Sequence, residues 1–162
     1  MATKKAQGRS TDAVALLKAD HQQVKKWFGD FEKARSAKVK AILAKDICKA
    51  LSVHAQIEEE IFYPAFLAAT EDKDMHHEAE VEHMCAKELI ADIAGSAPSD
   101  DYFDSKVHVL SEMIKHHVKE EEQPGGIFAQ AKKGDEDLDE MGERLKARKE
   151  ELMAQMGGAK AN

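Results

Sequence analysis

Cysteine is nearly absent from this chain, with only Cys48 and Cys85 among 162 residues. The pair has no metal-type spacing, and each falls about 120° or more from the histidine face of its own predicted helix. A disulfide framework and a cysteine-bound zinc site are thereby excluded, and two reduced thiols in a cytoplasmic protein are expected. Proline is also scarce, with three residues, and aromatics make up 6%. Long apolar runs are missing, so no segment spans a membrane. The leading residues MATKKAQGRS lack the apolar stretch of a secretion signal. Basic blocks are missing beyond Lys4–Lys5, and the net charge is −7. Neither a nucleic-acid partner nor an anionic membrane partner is expected of such a surface.

What remains is rich in Ala, Glu, Lys and Leu, with 43% apolar and 34% charged residues. That profile predicts an all-α protein, an up-down-up-down four-helix bundle with an extra C-terminal helix. The first helix is expected from about Ser10–Asp12 to Ala34. The second runs from about Ser36 to Ala69, with a kink where Pro64 deletes a hydrogen bond. A turn at Thr70–Asp74 caps the start of the third, which reaches about Ala94, and the fourth runs from about Ser99–Asp101 to Gln123, where Pro124-Gly125-Gly126 breaks it. IFAQAKK adds a helical turn or two. The accessory helix covers 135–156, a candidate surface for a protein partner. The expected organisation is a disordered tail at 1–10, the bundle at 11–131, and a second disordered tail at 157–162.

The second helix carries LSVHAQIEEEIFYP, and His54 and Glu58 within it are four residues apart, one turn above the other. Leu43, Ile47, Leu51, Ile57 and Ile61 all fall within roughly 60° of His54, so this face points into the core. A carboxylate buried there without a partner costs several kcal/mol, and the usual remedies are a cation or a metal. The other helices supply company. His21 sits on the stripe of Val14, Leu17, Val24, Phe28 and Phe31. His83 shares a face with Ala79, Ala86 and Ile90. His117 and Glu121 centre the stripe of Phe103, Leu110, Met113 and Ile114. His108-x-x-x-Glu112 falls on the opposite face and reads as a solvated pair, and His116 is rotated about 100° from His117. Glu59, Glu60, Glu120 and Glu122 read as solvated face.

The candidate metal ligands are therefore His21, His54, Glu58, His83, His117 and Glu121. Two carboxylates and four imidazoles exceed the needs of one tetrahedral zinc. They suit two first-row ions, with Glu58 and Glu121 placed to bridge, and mixed ligation of this type favours iron. Ferritin-like bundles use Glu-x-x-His on two helices, whereas only Glu80-x-x-His83 fits that template here.

The order His, His-x-x-x-Glu, His, His-x-x-x-Glu resembles the hemerythrin-like (HHE, cation-binding) family. The phrases LLKADH at Leu16–His21, HAQIEEEIFYP at His54–Pro64, EAEVEHMCAKELI at Glu78–Ile90 and HHVKEEE at His116–Glu122 carry the resemblance. It implies a four-helix bundle around two Fe ions, oxo- or hydroxo-bridged and carboxylate-bridged. It further implies activities that include binding or sensing of O2, handling of H2O2 or NO, and iron storage. A di-iron oxidoreductase with catalase-like activity is one expectation. A non-catalytic O2-binding or iron-storage protein is the alternative, and a zinc-bound or structural interaction bundle is a second. Oxygen-carrying members of the family have a fifth histidine four residues before the third-helix ligand, where this chain has Ala79. Glu80 is the expected additional metal ligand, with His76 or water as alternatives. Tyr63 and Trp27 are redox-capable but are read as packing residues.

Overall fold

The computed structural model describes residues 11–70 and 72–157. The tails expected at 1–10 and beyond Gly157 lie outside the described residues. Helix α1 (Ala13–Lys33) starts where the Asp12 side chain accepts a hydrogen bond from the Ala15 N–H. Helix α2 (Ala37–Ile57) is capped the same way by Ser36, and α4 (Lys73–Ala94) by Asp72. Each cap satisfies one of the N–H groups that a helix start leaves without a partner. Helix α5 (Phe103–Glu122) ends before the Pro124-Gly125-Gly126 break. Gly125 there takes a φ of +77°, and a Cβ on Gly126 would strike the backbone carbonyl of Glu120. The short α6 (Ile127–Lys133) and a last helix, α7 (Leu138–Gly157), follow.

The second predicted helix is not continuous to Ala69. Between α2 and α3 (Tyr63–Ala69) the chain widens into a π-helical turn over Glu58–Phe62, in which the Tyr63 N–H donates to the Glu58 carbonyl five residues back. Pro64 sits just after it and has no N–H to hold the tighter α-helical register.

Helices α1, α2, α4 and α5 form the four-helix ring, each packed on its chain neighbours, with α1 closing on α5. The extra helix α7 lies against α1 and α2 and is seated in the core through Met141, Leu145 and Leu152. No helix among the described residues is long and apolar enough to cross a membrane.

The apolar interior is split into two clusters. One holds Leu17, Val53, Ile57, Phe62, Tyr63, Phe66, Ala79 and Phe128. The other holds Val24, Phe28, Ile47, Leu51, Ala86, Phe103 and Leu110. Each ring helix passes from one cluster to the other at its histidine: between Leu17 and Val24 for His21, Leu51 and Ile57 for His54, and Ala79 and Ala86 for His83. On α5, His117 lies beyond Leu110 and before Phe128. The polar level is a layer between two oily ones.

Candidate metal centre

All six sequence-derived candidates are buried, and the structure brings them together. His21, His54, Glu58 and Glu121 form one group of potential donors, and Glu58, His83 and His117 form a second. Glu58 belongs to both. Glu58 and Glu121 are each 0% exposed, which makes them the most deeply enclosed carboxylates of the described chain.

The histidines all present Nε2 inward. His21 Nε2 lies 3.1 Å from His54 Nε2, and His83 Nε2 lies 3.2 Å from His117 Nε2. His21 and His117 each approach Glu121 Oε1 at 3.2 Å, and Glu58 Oε1 lies 3.1 Å from His54 Nε2 and 3.5 Å from His83 Nε2. Several of these contacts are close without being aligned as hydrogen bonds. Both oxygens of Glu58 and Oε1 of Glu121 lack a hydrogen-bond partner.

The outer ring nitrogens explain how Nε2 is aimed inward. Three of the four Nδ1 atoms face a carboxylate that sequence reasoning did not single out as a partner. His54 Nδ1 meets Asp20 at 2.9 Å, His117 Nδ1 meets Glu82 at 3.1 Å, and His83 Nδ1 meets Glu59 at 3.4 Å. His21 Nδ1 has Glu122 Oε2 at 3.5 Å, too poorly aligned to be a hydrogen bond. A carboxylate at Nδ1 fixes the ring so that Nε2 points inward, where a cation can take the place of its proton. Glu59 and Glu122, expected to be solvated, instead back histidines. The available signal was adjacency in sequence, since Asp20 and Glu122 flank His21 and Glu121. Glu82 and Glu59 reach histidines on other helices, which spacing along one helix does not reveal.

Charge follows from this enclosure. Burial alone would lower the pKa of His54, but Glu58 and Asp20 outweigh it and raise it to about 10. His117 is likewise raised by Glu121 and Glu82 against the effect of burial. Burial pushes the Glu121 carboxyl up, yet His117 and His21 hold it well below the usual carboxylate range. The cluster therefore attracts positive charge, which protons supply when nothing else does. Converging imidazole nitrogens and unpartnered buried carboxylate oxygens fit the binding of metal ions.

Two sequence expectations at the missing fifth histidine are not met by the geometry. Glu80 joins neither group; its side chain is about half exposed and lies 3.6 Å from His76 Nε2. His76 is buried, but its ring stands edge-on to the ring of Tyr63, 5.6 Å away at 87°. The hydroxyl of Tyr63 enters the site instead. It donates to Glu121 Oε2 at 3.2 Å and lies 3.3 Å from His83 Nε2 and 3.4 Å from His117 Nε2. Trp27 packs against the second apolar cluster.

A cavity of about 30 Å³ adjoins the four histidines, walled otherwise by apolar side chains such as Leu51, Ile90 and Ile114, with Asp20 and Lys87 also on its lining. It has room for about one or two water-sized molecules. Outside the centre, Glu78, His116 and Glu120 form a further cluster of side chains, two of them exposed. Helix α7 also reaches the site: the Lys149 ammonium donates to Asp20, which holds His54, and Arg148 pairs with Glu60 at 2.7 Å. Cys48 and Cys85 are both free.

Residues 12–124 match the family model described as the hemerythrin HHE cation binding domain. A crystal structure of a hemerythrin HHE cation-binding-domain-containing protein from Mycobacterium kansasii superposes with a TM-score of 0.72 at 25% identity, covering 89% of this chain and 88% of that one. A protein named as a DNA nickase, from Nostoc sp. strain PCC 7120, is 24% identical over 148 residues. That match covers 88% of this chain but only 40% of the relative.

Proposed function

Because the chain belongs to the hemerythrin HHE cation-binding family, we propose that it holds two iron ions at the His/Glu centre and uses them to bind and react with O2, H2O2 or NO. The observation that carries this reading is the shared carboxylate: Glu58 is fully buried, belongs to both donor groups, and has no hydrogen-bond partner for either oxygen. His21, His54 and Glu121 would hold one ion with Glu58, and His83 and His117 the other. Iron so held supplies one-electron redox chemistry and an open position for a small ligand.

The chain's own residues set the terms. Asp20, Glu59 and Glu82 each hold a histidine at Nδ1 and so orient three of the rings. The cavity beside the histidines, about 30 Å³ and lined largely by apolar side chains, takes molecules of only a few atoms. That size limit favours a diatomic gas or peroxide over an organic substrate. Redox turnover, as a catalase-like oxidoreductase or a sensor, fits the site better than simple O2 carriage, because the position filled by a fifth histidine in oxygen carriers is not histidine here. The two free thiols suit a reducing cytoplasm.

The test is metal analysis of protein grown without supplementation, followed by rapid mixing of the iron form with H2O2. Two irons per chain and gas evolution are expected. Zinc, or a single ion per chain, would overturn the di-iron reading. A stable oxygenated species without turnover would make the protein a carrier.

A further inference from the structure

Tyr63 has an environment that packing does not explain. Its side chain is 1% exposed, and its ring is held edge-on by His76 and stacked on His83 at 5.4 Å. The hydroxyl therefore has little freedom to swivel. A phenol has one proton to donate, and the Glu121 carboxylate takes it. The remaining neighbours are His83 Nε2 and His117 Nε2, whose rings are backed at Nδ1 by Glu59 and Glu82. One oxygen and two ring nitrogens thus converge on a single point, each able to offer a lone pair to a cation that displaces the protons there.

We propose that Tyr63 Oη is a third protein donor to the ion at His83 and His117, completing the side of the centre where the fifth histidine is absent. The proposal rests on the di-iron reading and extends its ligand set.

Distances support it. With metal–donor bonds of about 2.1 Å, adjacent donors lie about 3.0 Å apart in an octahedron and about 3.4 Å apart in a tetrahedron. The Tyr63–His83–His117 triangle has edges of 3.3, 3.2 and 3.4 Å. The other proposed half of the centre has the same dimensions, with 3.1 Å between His21 and His54 and 3.2 Å between His21 and Glu121. On ligation the O–H bond breaks, the proton leaves to water, and the oxygen lone pair forms the bond to the ion.

The backbone shows how the residue gets there. Tyr63 is five residues after Glu58, which in an α-helix places it about 140° away. In a π turn, at about 80° per residue, it comes within about 50° of Glu58. The wide turn over Glu58–Phe62 is what turns the phenol into the site.

The chain has two tyrosines, Tyr63 and the largely exposed Tyr102, so the test is clean. Wild type, Tyr63→Phe and Tyr102→Phe are loaded with ferric iron, the iron is quantified, and visible absorption and resonance Raman spectra are recorded. The expected result is a phenolate-to-iron charge-transfer band with enhanced tyrosine ring modes in wild type and Tyr102→Phe. Both signals vanish in Tyr63→Phe, which retains iron and the far-UV spectrum of the folded chain. Two irons per chain with no phenolate modes in wild type would sink the proposal and leave the di-iron reading intact. The same holds if the spectrum survives in Tyr63→Phe. Failure to take up ferric iron at all would overturn both.

Discussion

Two helices of this bundle carry the same word, His-x-x-x-Glu, and treat it differently. On α5, His117 and Glu121 sit in regular α-helix, and the chain stops just afterwards at Gly125 and Gly126. That stop folds α6 back so that the Phe128 ring stacks on His21, 5.7 Å away. After α2, the helix does not stop at Glu58 but widens, and the residue it turns inward is Tyr63. One arm closes its side of the centre with an apolar ring, the other with a hydroxyl. The difference teaches that ligand spacing fixes the first pair of donors on each helix, while the backbone beyond the carboxylate decides the surroundings.

The strongest way to break the comparison is to remove each carboxylate in turn. Glu58→Ala is expected to bring metal content below one ion per chain, because both donor groups lose a member. Glu121→Ala is expected to leave about one ion, since Glu121 belongs to one group only. Metal quantification after dialysis separates them, and equal losses would show that the sharing is symmetric after all.

The next test takes the two backbones. Gly126→Ala should destabilise the fold by about 1–3 kcal/mol in denaturant titration, because the new Cβ meets backbone carbonyls that have nowhere to go. Pro64→Ala should cost less, since it restores an N–H able to support an α-helical turn. Its signature is instead local: slower amide exchange around residues 58–64 and loss of the tyrosine spectral signature at unchanged iron content. Slower exchange without that spectral change would separate the π turn from the placement of Tyr63.

The smallest effect concerns the stem of α2 beneath the site. Burial raises the Cys48 thiol to about 11. The folded chain therefore keeps that proton where the unfolded chain has lost it, and stability falls as pH rises from the ordinary thiol range towards about 11. Cys48→Ala should flatten that alkaline limb slightly in thermal melts of the metal-free protein. Exposed Cys85 should be alkylated first under native conditions. Rapid native labelling of Cys48 would mean the stem opens, and the contrast with α5 would need another cause.

Much of the centre was legible beforehand because helix periodicity is local arithmetic. His21, His54, Glu58, His83, His117 and Glu121 each lie on the apolar stripe of their own helix, so a rotation of about 100° per residue was enough to pick them from eight histidines and many glutamates. Tyr63 was read as a packing residue, and the kink expected at Pro64 did not foretell the π turn that brings its hydroxyl to the centre. The same arithmetic set Glu59 and Glu122 in solvent because their partners, His83 and His21, come from other helices. Glu80 was chosen for its position beside His83, yet it stays at the surface against His76.

The chain by itself thus determined a helical bundle with one polar layer and six inward donors, since stripe, cap and breaker are written residue by residue. Tertiary structure alone decided which carboxylate stands behind each imidazole, that α7 reaches Asp20 through Lys149, and that a phenol enters where a fifth histidine is missing. Those outcomes depend on distances between helices and on one widened turn, and neither is a property of any single stretch of sequence.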